Sequence, residues 1–270
     1  MPGPTLVHST LTELSAAARH AVAGWWGIVR LAASMLDMAL SRSTYTRENW
    51  RVLAHHLVQD TVPMLAWFAV LTTLISLIVI RIVLVTALSY GLTQYALEMV
   101  VRVLVLELIP LTAALFAALR CTIPNAAEVV ALRAQDAWVA SAPNGQPGHD
   151  PLHREVLPRV VSGVFSALLL AAVSCAVTLV VAYLAVYGPV ASGLPAYTRT
   201  VGHVFNPAVS LILGLKILFL CIAVALVPMA AVLDDARVRR RATSAELRGL
   251  VRMFIVILLI EVASLVGNYY

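Results

Sequence analysis

Five ionisable side chains stand inside long apolar runs of this sequence: Arg81, Arg102, Glu107, Lys216 and Glu261. In hydrocarbon each is costly unless paired or wetted, about 2.5–3.5 kcal/mol on insertion scales for a basic residue at mid-span. Counted from the outer ends of their runs, Arg81 and Glu107 are about 7 residues in, Lys216 about 8 and Glu261 about 5, so all four lie about 8–12 Å below one surface. A shared polar layer admits two readings. The charges form structural ion pairs, or they wall a cavity open to the outside, where cations and a carboxylate meet a phosphorylated headgroup. Pro110 stands three residues after Glu107 and deprives the carbonyl of Leu106 of its helical donor, so the helix is expected to open there. Tyr90, at the outer end of the first run, suits the rim of such a cavity, with its hydroxyl in water and its ring in lipid.

Other chemistry has no anchor. A phosphate-cradling loop needs glycines followed by Lys and Ser or Thr, and the only lysine, Lys216, sits between Leu215 and Ile217. His149 and His153 are four apart, but Pro151 stands between them in a turn-rich stretch, a poor setting for a metal pair. There is no Gly-x-Ser-x-Gly elbow and no Cys-x-x-Cys pair. Cys121, Cys175 and Cys221 are odd in number, and two fall inside apolar runs, so a disulfide framework is not expected.

The elements that must position those charges follow from composition. Of the 270 residues, 61% are hydrophobic and 12% charged, against about 45–50% and about 25% in ordinary soluble domains. A hydrocarbon layer about 30 Å thick takes about 20 apolar residues per helix, and runs of that length occur near 62–88, 100–119, 160–187, 208–232 and 250–266. They are unbroken rather than alternating, which excludes barrel strands. The expected fold is an all-α integral membrane protein with five transmembrane helices.

The formal charge of +5 follows membrane sidedness rather than nucleic-acid binding. Fifteen of the nineteen Lys and Arg flank the spans on one side, Arg199 alone lies in the opposite loops, and Arg81, Arg102 and Lys216 lie within spans. By the positive-inside rule the N-terminus is cytoplasmic and the C-terminus periplasmic. The first ten residues lack the cationic start and apolar run of a cleaved signal.

Before the first span, Leu14, Ala18, Val22, Trp25, Val29, Ala32 and Leu36 recur at helical steps opposite Arg19, Arg30 and Asp37. That pattern, with Trp25 and Trp26, predicts an amphipathic interfacial helix over 11–40 on the cytoplasmic face, in an N-terminal region of residues 1–60. Residues 120–159 form a cytoplasmic excursion with a short helix near 125–139 and a turn-dense middle at 141–148. The stretch 187–207, with Gly188, Gly193, Pro195, Gly202 and Pro207, reads as an irregular outer loop.

The segment Leu106-Glu-Leu-Ile-Pro110 through Arg120, followed by Ala127-Glu128, resembles the Glu-Leu-Gly-Pro…Gly-Arg…Ala-Glu stretch of the MlaE/YrbE permeases, the membrane subunits of MCE-type phospholipid ABC transporters. Asp150-Pro151 and Pro158-Arg159 match that family's Asp-Pro…Pro-Arg pair, Lys216 stands where a lysine often stands in its fourth span, and Arg241-Ala-Thr243 resembles its Arg-Ala-Thr. Glu261 replaces its last acidic residue. Departures are Leu106, Ile109 and Leu119 at positions the family fills with arginine and glycine, and a weak acidic coupling motif, Ala134-Gln-Asp136-Ala.

The resemblance implies that residues 61–270 form a permease domain and that the chain is not itself an enzyme. Together with the shared depth of the charges, it makes Glu107, Pro110, Arg81, Tyr90, Lys216 and Glu261 the expected lining of a lipid cavity, and Arg120, Glu128, Arg133, Asp136, Asp150 and Arg159 an expected ATPase-coupling surface. No cofactor belongs to this chain, since ATP is bound by a partner. The implied partners are a cytoplasmic ABC ATPase, a periplasmic MCE protein as a hexamer, a second permease copy and phospholipid, in a bacterial inner membrane. The departures leave two alternatives, a non-transporting scaffold or degenerate heterodimer subunit, and an intramembrane lipid enzyme built on Glu107 and Glu261.

Overall fold

The computed structural model describes residues 47–134, 151–238 and 242–269, together with residues 26, 29, 30 and 33. The elements are α1 (Arg47–Ser89), α2 (Thr93–Val100), a π-helical segment (Val101–Leu108), α3 (Ile109–Ala117), a second π segment (Ala118–Thr122) and α4 (Ile123–Ala134). After these come α5 (Pro151–Tyr187), a 3-10 turn (Ala191–Gly193), α6 (Leu194–Val204), α7 (Pro207–Val238) and α8 (Ala242–Tyr269). There is no strand among the described residues. Of the expected interfacial helix, Trp26, Val29, Arg30 and Ala33 are helical and exposed, and the rest of 11–40 lies outside the described residues.

Five stretches are long and apolar enough to cross a membrane: Pro63–Ser89, Tyr95–Glu128, Pro158–Tyr187, Pro207–Ala230 and Gly249–Asn268. The second is half buried by the other helices, whereas the first and fifth are 22% buried, so the second span is the axis and α1 and α8 are the flanks. α1 runs along α5, α8 runs along α7, and α3 touches both α5 and α7. The axis admits close neighbours because Ala113, Ala114, Ala117 and Ala118 are almost fully buried, and small side chains let helix backbones approach where lipid supplies no hydrophobic drive. Hydroxyl pairs tie α1 to α5, with Thr61 and Ser166 at 2.6 Å and Ser76 and Thr178 at 3.0 Å.

Two tight reversals set the outer face. Gly91 and Gly188 adopt φ of 70° and 72°, a left-handed conformation that a Cβ disfavours, and each ends a long helix. The stretch read as an irregular outer loop contains α6 instead. Pro195 sits in its first turn, where a missing N–H costs nothing, and Tyr197, Val201 and Val204 make an apolar stripe that packs against Val101 and Val105. The turn-forming residues concealed an amphipathic helix. The Tyr197 hydroxyl donates to the Leu179 carbonyl at 2.8 Å, and burial pushes that phenol up to about 12.

Candidate functional site

The second span is built to open one carbonyl. Ile109 N–H reaches back five residues to Leu104, and Ile123 N–H likewise to Ala118, the wide spacing of a π turn. Next in line, Pro110 has no N–H to give. From another helix, Lys216 Nζ on α7 donates to the carbonyl of Leu106, four residues before Pro110, at 3.1 Å.

The same ammonium pairs with Glu107 Oε2 and, at 2.6 Å, with Glu261 Oε2 on α8. An ammonium has three N–H donors, and these three partners use all of them. The Lys216 side chain is 1% exposed, against 18% for Glu107 and 16% for Glu261, so the cation is sealed and the two acidic side chains are each only partly exposed. Asn268 Nδ2 donates to Glu107 Oε1 at 3.4 Å. One lysine therefore joins the second span, α7 and α8.

Along α8, Glu261, Ser264 and Asn268 fall at helical spacing on one face. Glu261 Oε1, Ser264 Oγ and Asn268 Oδ1 are buried and make no hydrogen bond among the described residues. Buried polar atoms normally have partners, in the protein or in ordered water, so this row of unmatched oxygens sets the face of α8 beside Lys216 apart from the rest of the bundle.

The structure brings together Glu107, Lys216 and Glu261, with Pro110 buried beside them. It does not bring in the other two charges of the expected layer. Arg81 shares their depth but stands exposed on α1, with no hydrogen bond or ion pair among the described residues. Arg102 pairs with Glu98 at 3.0 Å, one turn away on its own helix, and both are about a third exposed. Their positions along the axis were legible, but rotation about it was not, because a span that is apolar all round carries no amphipathic signal. Tyr90 is 76% exposed at the end of α1. Ser264 and Asn268 were missed as members of the site; the Leu106 carbonyl was singled out beside Pro110, but not as a partner of Lys216. Asn268 carried a faint signal, a polar residue two turns after Glu261.

At the other end of the bundle, Arg159 of α5, 9% exposed, meets Glu128 of α4 at 3.4 Å. Arg133 lies in the last turn of α4, while Asp136 and Asp150 lie outside the described residues, as does His149. Arg120 is apart from that pair and lines a groove with Pro63, Met64, Trp67 and Phe116. None of the three cysteines forms a disulfide among the described residues.

Five helices long and apolar enough to span a bilayer, with a buried charge cluster where the second span meets α7 and α8, have the build of a multi-pass membrane protein. The profile of the family described as Permease MlaE matches residues 53–266, and the chain belongs to that family. It is accordingly an ABC transporter permease subunit, the membrane part and not an enzyme. No curated protein matches the chain.

Proposed function

We infer that this permease moves phospholipid, or a lipid of similar build, between its membrane and a periplasmic MCE-type carrier. The observation that carries this reading is the Glu107–Lys216–Glu261 cluster with its unmatched oxygens, set inside apolar helices whose outer faces meet lipid. Because the three donors of Lys216 are already engaged, the ammonium acts as a pin rather than as a phosphate receptor. The unmatched oxygens of Glu261, Ser264 and Asn268 suit the N–H or O–H donors of a headgroup, while the surrounding Leu, Val and Ile suit acyl chains. Energy would come from a separate ABC ATPase seated on the excursion that begins with α4. The Arg159–Glu128 bridge supports this, because it would pass a push on α4 into α5. A second copy would meet the open faces of α1 or α8, the least buried spans.

The test is reconstitution of this chain with its neighbouring ATPase in vesicles holding fluorescent phospholipid. ATP-dependent movement of the probe is expected. ATP hydrolysis with no lipid movement favours the scaffold reading, and lipid turnover without any ATPase favours the enzyme.

A further inference from the structure

The groove at Arg120 belongs to no part of the cluster just described. It has a volume of about 170 Å3 and lies between the start of α1's apolar stretch, at Pro63, Met64 and Trp67, and the end of α3, at Phe116, with Arg120 beyond it. Phe116 and Arg120 follow Glu107 by nine and thirteen residues, about 14–20 Å along the helix, so groove and cluster occupy different depths.

Its walls are fixed from behind. Phe116 stacks on the buried Phe68 with ring centroids 4.5 Å apart, and Cys121 Sγ donates to Met64 Sδ at 3.4 Å. Its mouth faces outward, since Trp67 is 65% exposed and Leu119, beside Arg120, is 64% exposed. Arg120 is itself exposed and has no ion pair or hydrogen bond among the described residues. This is an apolar, aromatic-walled slot with one unmatched guanidinium at its lip, at the level where Pro63 begins the span. Tryptophan and arginine are the residues that sit at the boundary between acyl chains and headgroups.

The geometry points to a bound phospholipid in this groove, held in the leaflet at the N-terminal end of α1, with its phosphodiester on the Arg120 guanidinium and an acyl chain between Trp67 and Phe116. The fork of guanidinium donors matches phosphate oxygens, and no carboxylate among the described residues pairs with it. In the orientation given by the arginine asymmetry this is the cytoplasmic leaflet. The site is therefore separate from the headgroup-receiving oxygens near the outer surface, and its existence does not depend on transport. It would hold a resident lipid at the joint between α1 and the axis of the bundle.

Trp67 reports on it directly. In the full-length protein with Trp25, Trp26, Trp50 and Trp138 each changed to Phe, Trp67 is the sole tryptophan. The bilayer is a phosphate-free galactosyl diacylglycerol doped with phosphatidylglycerol brominated on its acyl chains. Quenching is expected to saturate at a low mole fraction, and Arg120→Gln to raise that fraction about fivefold, the factor for one basic group at an anionic surface. Arg120→Lys, which keeps the charge but loses the fork, is expected to fall between the parent protein and Arg120→Gln. Three results each overturn the proposal: the same dose dependence in Arg120→Gln, equal quenching by a brominated galactolipid, or a Trp67 that neither lipid reaches because protein fills the groove.

Discussion

Lys216 contributes one positive charge to a site with two carboxyl groups and the Leu106 carbonyl. Removing it leaves two carboxylates with no cation to balance them, and Glu107 with only the Asn268 amide, a change that typically costs about 3–5 kcal/mol. Lys216→Met is therefore expected to abolish assembled protein, measured as the monodisperse fraction after detergent extraction. Neutralising Glu107 and Glu261 to Gln in the same chain should restore much of it, since no orphaned charge remains. If Lys216→Met alone assembles at the parental level, the lysine is not the pin described here. At this scale the sequence was half informative. The unusual residues and their depth were visible because a charge in an apolar run is conspicuous. Their partners were not, since pairing depends on which face of each helix turns inward; the Leu106 carbonyl was noticed through Pro110, but that Lys216 would reach it from α7 was not.

Elements were legible to the degree that length and hydropathy decide them. All five spans fall where the apolar runs fall, but the second extends from Tyr95 to Glu128 rather than 100–119. A helix need not stop where its apolar run stops: Glu98 and Arg102 neutralise one another on one turn, and α4 continues past Arg120. The π segments were not legible, because their sequences, Val101–Leu108 and Ala118–Thr122, are as apolar and as helix-compatible as their neighbours. Their consequence is testable. Pro110→Ala restores an N–H that can serve the carbonyls one turn back, in competition with Lys216. The variant is expected to unfold at a higher temperature yet to transport less than half as fast, because the cluster loses one of its three anchors. An unchanged transport rate in a stabilised variant would show that the freed carbonyl has no role.

For the whole molecule the charge pattern carries a prediction of sidedness. By the positive-inside rule, fifteen basic residues against one predict a cytoplasmic N-terminus and a periplasmic C-terminus. A reporter fused after Tyr270 should be active as a periplasmic fusion, and one inserted near Gly145 as a cytoplasmic one. The reverse pattern would invert every depth used above and would move the Arg120 groove to the other leaflet. The family assignment over residues 53–266 makes this a transporter subunit, and the bundle explains how one chain serves. A well-packed axis carries the polar site, and α1 and α8 leave long apolar faces to the bilayer or a second copy.

The central claim is that the Glu107–Lys216–Glu261 cluster receives the lipid headgroup. It is tested most directly with Glu261→Gln, which leaves Glu107 to balance Lys216 and keeps an oxygen for the ammonium. Phospholipid retained through purification and the ATP-driven rate of lipid movement are measured together in the reconstituted complex. The expected result is normal assembly with lipid retention and transport each reduced about tenfold, the effect of one lost charge-assisted hydrogen bond of about 1.4 kcal/mol. Parental retention and parental transport in a normally assembled Glu261→Gln complex would contradict the claim and leave the cluster a purely structural clasp.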